Sequence, residues 1–212
     1  MNIKRTRYLI PLFIVLLLLV RLVVDIGREH RPGERLRVVR VIDGDTIELL
    51  GGDQLRLLGI DCPERGDPFY DSATALTRAL VLDKTVEVVY SSRRRDGYGR
   101  LLGYLYLDTV LINEVILRRG FGNVYLFKDN LDDGAVISSL QRAQNEALAG
   151  KIGIWSIPRA REPYYVALSG SLRFHRPGCR AVRNRRLTEL IRFETREEAL
   201  VKGYSPCRNC RP

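Results

Sequence analysis

No acidic residue occurs in the first 24 positions, where Lys4, Arg5, Arg7 and Arg21 are the charged groups. No small-x-small cleavage pattern follows the apolar run over 9–20; the stretch 28–37 is charged instead. The run itself contains no polar side chain. A positive flank before an apolar stretch is the signature of a signal peptide or signal-anchor. The missing cleavage pattern favours an uncleaved anchor over residues 1–27, with secretion after cleavage as the alternative and a buried core helix as the competing structural reading. The run is short for a span of about 20 residues, but Arg21 can snorkel toward an interface. Positive charge keeps residues 4–7 in the cytoplasm and sends the rest across. The expectation is a membrane partner and an extracytoplasmic chain. No feature points to a protein partner.

Positive charge is also unevenly distributed. Of the formal +10, residues 159–212 hold 13 Lys and Arg against 5 Asp and Glu, while residues 25–158 hold 18 against 20. Basicity belongs to the two ends. A basic tail attracts a polyanion such as nucleic acid by Coulomb force, or is simply a solvated surface. Cysteine and histidine are scarce, at four and two, and Cys62 stands apart from the other three cysteines.

The middle reads as strands and helices. Residues 36–42 form a strand, Asp43-Gly44-Asp45 a tight turn, 46–50 a strand, 51–53 a turn and 55–60 a third strand. Residues 72–82 have helical spacing with Asp71 or Ser72 as N-cap. Strands follow over 85–90 and 101–107, separated by a basic loop over 91–99. Helices follow over 113–119, stopped by Gly120, and over 136–149, closed by Gly150. Five strands with about three helices suit an OB-type β-barrel of α+β class over residues 36–156.

Three pieces carry charge at turns or strand ends. They are Asp43-Gly44-Asp45-Thr46, the stretch Arg56-Leu-Leu-Gly-Ile-Asp61-Cys62-Pro63-Glu64, and Asp96-Gly97-Tyr98-Gly99-Arg100. Asp45, Asp61 and Glu64 supply carboxylates, and Arg56 and Arg100 supply guanidinium groups. Clustered carboxylates repel unless a cation joins them, and an all-oxygen set suits a hard ion such as Ca²⁺. Two arginine forks fit a phosphate and its extra transition-state charge. Glu64 then activates or orients water. The set reads as a phosphodiester-hydrolysis kit.

These pieces, in this order, resemble the staphylococcal (thermo)nuclease family from about Val38 to Ser156. The resemblance implies that Arg56, Glu64 and Arg100 are catalytic. It implies that Asp45 and Asp61 hold Ca²⁺ with their side chains, and Cys62 with its backbone carbonyl. It places Tyr98 and Tyr125 around the bound nucleotide, and it implies cleavage of DNA and RNA to 3′-phosphate ends. Cys62 stands where the type member has threonine, and Phe127 where it has a second tyrosine. The alternative is a fold kept only for non-catalytic nucleic-acid binding.

Residues 157–163 read as a linker and 164–174 as a hairpin around Ser169-Gly170. His175, Cys179, Cys207 and Cys210 match a tetrahedral zinc site in two close pairs, and a piece so poor in apolar residues needs such a staple. Disulfides are the competing reading, which export permits. Against them, Cys207 and Cys210 are too close for an ordinary bridge, and His175 has no role in one. Thr195 and Glu198 form a capping box for a helix that Gly203 stops. The pattern Arg176-Pro-Gly-Cys179, the helix 195–200 and Gly203-Tyr-Ser-Pro-Cys207-Arg-Asn-Cys210-Arg-Pro resemble the zinc-binding domain of bacterial alkylation-repair (Ada) proteins. In those proteins the first of four cysteines accepts a methyl group. Here His175 takes that place, and imidazole cannot do the thiolate's work. What remains is a zinc-held basic module over 164–212. Its Arg173, Arg176, Arg180, Arg183, Arg185 and Arg186 either hold a phosphate backbone or belong to a purely structural cap.

Overall fold

The computed structural model describes residues 33–131 and 133–212. The expected anchor over 1–27 lies outside them. Among the described residues no helix is long and apolar enough to cross a membrane.

The first part runs β1 (Glu34–Val41), β2 (Thr46–Leu49), β3 (Gln54–Leu57), β4 (Gly59–Asp61), α1 (Tyr70–Val81), β5 (Thr85–Arg95), β6 (Leu101–Leu107), β7 (Val110–Leu111), α2 (Ile112–Arg118), β8 (Asn123–Tyr125) and α3 (Gly134–Ala149). Strands pair in the order β3-β2-β1-β5-β6, and β3 also pairs with β6. Five strands therefore close into a barrel, which removes the free sheet edges. Val38, Ile47, Leu55, Leu57, Val88 and Leu105 are fully buried in its core.

The expected third strand divides in two. Gly59 adopts φ +75°, where a Cβ would lie 2.6 Å from Leu140 Cδ1. The chain turns there, and β4 leaves the barrel ladder to pair with β8, placing Asp61 opposite Asn123. Leu58 is held between the two ladders. Its N–H donates to the Gly103 carbonyl at 2.9 Å, and its carbonyl accepts from the buried Asn113 Nδ2 at 2.8 Å. Asn113 Oδ1 in turn accepts from the Leu105 N–H at 3.0 Å.

Three further expectations change. Helix α1 starts from Phe69 in a left-handed conformation, φ 68°, with no side-chain cap, and Asp71 lies in its first turn. A carboxylate there still favours the helix dipole. The basic stretch after Tyr90 is mostly strand, because β5 continues past a bulge to pair Arg95 with Leu101. Gly44 is absent from the glycines of positive φ. Its small size serves close approach instead, since a Cβ would lie 2.8 Å from both the Ala73 and Cys62 Cβ atoms.

The second part comprises β9 (Tyr165–Leu168), β10 (Arg173–His175), β11 (Leu190–Phe193), α4 (Arg196–Val201) and β12 (Ser205–Pro206). Its sheet order is β11-β9-β10-β12. The Thr195 side chain caps α4, accepting from the Glu198 N–H at 3.0 Å. This part has a small core of its own in Val166, Cys179, Val182 and Cys207, and shares its larger one. Tyr165, Phe174, Phe193 and Leu200 bury together with Ala147 of α3 and Trp155. The shortage of apolar residues in the tail is met by the flank of α3.

Candidate active site and metal centre

The first acidic turn is tucked under α1. Asp43 Oδ1 accepts from the Asp45 N–H at 3.0 Å, and Thr77 Oγ1 donates to the Gly44 carbonyl at 2.7 Å. These bonds aim Asp45 inward, where it is 6% exposed. Its carboxylate accepts from the Cys62 N–H at 2.7 Å, from Thr46 Oγ1 at 3.2 Å and from Arg56 Nη2 at 3.1 Å. The barrel register sets this meeting. Thr46 lies opposite Arg56, and Arg56 lies beside Leu102, just past Arg100.

Asp61, at the end of β4, meets the same arginine nitrogen at 3.2 Å. Two carboxylates thus share one atom of Arg56. Burial raises the Asp45 pKa to about 7; Arg56 and the Cys62 N–H oppose the rise, while Asp43 and Asp61 add to it. The two carboxylates face each other across Arg56, and their oxygen donors fit a hard divalent cation. The Cys62 thiol is buried, and burial followed by the charge of Asp45 pushes its pKa well up. It is a protonated wall of the site and neither a nucleophile nor a ligand.

The other expected residues sit just past β4 (Glu64), in the loop before β6 (Tyr98, Arg100) and on β8 (Tyr125). Arg100 is steered by Asp96, whose Oδ2 accepts from Arg100 Nε at 2.8 Å. The hydrogen bonds of this loop lower the Asp96 pKa against the effect of burial. Glu64 is exposed, and its N–H donates to Asp67 Oδ2 at 3.3 Å. Tyr98 is 89% exposed at the loop tip, with the Arg100 guanidinium 5.5 Å from its ring. Tyr125 and Phe127 pack edge to face. The Tyr125 ring already carries Arg173 at 3.6 Å and Arg208 at 4.6 Å.

Arg208 is the functional residue that sequence reasoning missed. It sits between Cys207 and Cys210, yet its Nε donates to Asp61 Oδ2 at 3.2 Å and its Nη2 pairs with Asp61 Oδ1. Burial opposes the charge on Arg208, but the Asp61 carboxylate more than offsets this and raises the pKa. The partners are 147 positions apart, so no local spacing signals the contact.

His175, Cys179, Cys207 and Cys210 offer ligand atoms that all lie within 4.8 Å of one another. His175 Nδ1 is buried with no hydrogen-bond partner. Burial, then the charge of Arg173, lowers the His175 pKa and keeps the ring neutral. Burial pushes the Cys210 thiol up to about 12, a cost that a coordinated metal removes by taking the thiolate. The Arg176 N–H already points at Cys210 Sγ, 3.4 Å away. An orphaned imidazole nitrogen beside three cysteines fits zinc.

Comparison with known proteins agrees with this geometry. Residues 54–157 match the model of the staphylococcal nuclease homologue family. An uncharacterized endonuclease of Escherichia coli is 40% identical over 124 residues, covering 57% of this chain and 76% of that protein. The chain belongs to the staphylococcal nuclease family. A thermonuclease of Staphylococcus hyicus is 30% identical over 139 residues, covering 61% of this chain and 80% of that one. A micrococcal nuclease of Shigella flexneri is 32% identical over 142 residues, covering 61% and 78%. Residues 156–212 match the metal-binding domain of Ada. This family member is a nuclease-type hydrolase whose barrel continues into an Ada-like region with a His/Cys₃ cluster.

Proposed function

We propose that the chain is a Ca²⁺-dependent phosphodiesterase that cuts DNA, RNA or both and leaves 3′-phosphate ends. The observation that carries this reading is the convergence of Asp45, Asp61 and Arg56; Arg100 stands two residues before Leu102, the register partner of Arg56. Asp45, Asp61 and the Cys62 carbonyl would hold the ion, which supplies positive charge to the phosphate oxygens. Arg56 and Arg100 bind the remaining oxygens and stabilise the charge of the five-coordinate state. Glu64 takes the proton of the attacking water. The P–O5′ bond breaks, the 5′ oxygen leaves as a hydroxyl, and the phosphate stays on the 3′ side. Zinc holds the basic module together, and its exposed Arg180, Arg183, Arg185 and Arg186 hold phosphates without reading bases. The basic, apolar leader supports an exported enzyme anchored to the membrane through residues 1–27.

The test is cleavage of DNA and RNA with and without Ca²⁺, with end-group analysis of the products. Ca²⁺-dependent release of 3′-phosphates, lost in Glu64→Gln, is the expected result. Cell fractionation with and without residues 1–27 tests the anchor; a chain that stays soluble with them intact overturns it. One observation favours a second reading, since Arg208 already neutralises Asp61. In that reading the barrel and module bind nucleic acid without cutting it. Salt-sensitive binding with no new 3′-phosphate ends is its outcome.

A further inference from the structure

A cleft of about 470 Å³ lies where the barrel meets the zinc module. Asp61, Cys62, Pro63 and Glu64 line it, so the cleft shares residues with the candidate active site. Arg159, Arg176, Arg196 and Arg211 line it as well. Arg176 follows β10 directly and Arg196 opens α4; Arg159 comes from the stretch expected to be a linker and Arg211 from beyond the zinc ligands.

With Arg208, five arginines line the cleft against three carboxylates, Asp61, Glu64 and Asp67. Arg159 is exposed to the cleft and, among the described residues, takes part in none of the hydrogen bonds or ion pairs. Desolvation, then Arg176 and Arg211, lower its pKa. Asp67 attracts it less strongly, being already paired with Arg211 Nη1 at 2.7 Å. Arg176 reaches Glu162 only at 3.5 Å. Arg196 is buried, donates to the Pro212 carbonyl at 2.8 Å, and is repelled by Arg159. Like charges held together in a part-dry cleft are unfavourable unless an anion joins them. Arginine forks bind phosphate oxygens two at a time, as they do carboxylates, and the nuclease reading supplies the phosphate.

We propose that this cleft is a second phosphate-binding site, taking the backbone of a single-stranded polynucleotide next to the bond that is cut. The proposal rests on the nuclease reading for the identity of the strand. Glu64 lines the cleft, so a strand bound at the active site must pass through or beside it. A cleft of this volume takes part of one strand, whereas a duplex is wider than its own major groove of about 12 Å. A single strand with its bases splayed fits. Arg159 and Arg176 contact successive phosphates, and the zinc module becomes one wall of the substrate channel.

The test is fluorescence anisotropy of the full zinc-loaded chain with a labelled single-stranded 12-mer, without added Ca²⁺, across a salt series. Arg159→Ala is expected to lower the salt slope by about 0.7, the share of one phosphate on a single strand. Arg159→Glu lowers it further and weakens binding about tenfold at low salt, while Arg159→Lys keeps the slope. Because Arg159 makes no contact that its loss would break, zinc content and far-UV dichroism stay those of the parent. An unchanged slope and affinity in Arg159→Glu overturns the site. An equal loss on the matching duplex overturns the single-strand assignment. The parent's cleavage with Ca²⁺ is measured separately: a parent that binds through Arg159 but never cuts sinks the nuclease reading and leaves this site standing.

Discussion

Asp45 is where burial and charge act against each other. Its pKa is raised to about 7, above the ordinary aspartate value. The folded state therefore holds the proton more tightly than the unfolded chain. Between pH 4 and 7 the metal-free protein loses stability as pH rises, by the linkage relation, and above 7 the full cost of the buried carboxylate is present. A divalent cation needs the charged form, so binding must expel that proton. The expected outcome is Ca²⁺ affinity that falls toward tenfold per pH unit as pH drops below 7, read by calorimetry. A flat affinity from pH 5.5 to 8 contradicts it. Glu64 is exposed, so Glu64→Gln is expected to lower kcat by about 10²- to 10⁴-fold with unchanged stability; retained turnover removes it from the proton transfer. The grouping of Asp45, Arg56 and Asp61 was legible in the sequence, because short strands with tight turns leave little freedom in where their ends meet. Arg208 was not. Its neighbours announce zinc ligation, and nothing nearby in the chain tells that its side chain faces Asp61.

At the scale of elements, the division of β3 from β4 positions Asp61. A strand continued straight through Leu58 would keep Asp61 on the barrel ladder. Gly59 turns it out, and Asn113 takes the two backbone groups that the turn leaves unpaired. Asn113 is fully buried, so truncation strands a donor and an acceptor away from water. Each unpaired buried group costs about 1–3 kcal/mol. Asn113→Ala is expected to lose at least about 2 kcal/mol in urea unfolding and to lower Ca²⁺ affinity, because Asp61 loses its fixed place. A loss under about 0.5 kcal/mol means that water or a shifted strand replaces the amide. The sequence showed an apolar run with one glycine in it, which fits an unbroken strand equally well. The break depends on Leu140 and Asn113, which come from helices far along the chain.

For the molecule as a whole, the zinc module and the barrel are one folding unit. In sequence, residues 157–163 read as a linker, from two prolines and alternating charge. That expectation rested on local composition, whereas the joint is made by packing: Trp155 and Ala147 belong to the same core as Phe174 and Phe193. Arg173 fastens it again by donating to the Leu126 carbonyl at 2.6 Å, and Arg208 a third time at Asp61. Trp155 is the chain's single tryptophan and lies in that shared core, so its emission reports docking directly. Zinc-loaded protein is expected to unfold in one thermal transition, seen alike by Trp155 emission and far-UV dichroism. Stripping the metal loosens β10 and the turn that carries Arg208. Trp155 emission should then shift to the red while most barrel dichroism remains, and the two probes should separate in temperature. Two separate transitions in the zinc-loaded chain, with Trp155 emission following the barrel alone, contradict the shared core. The zinc-free chain should also gain Ca²⁺ affinity, since Arg208 no longer competes for Asp61. An unchanged affinity means that the guanidinium yields to the ion at no cost, and that the joint between the two parts is carried by Trp155 and Arg173 alone.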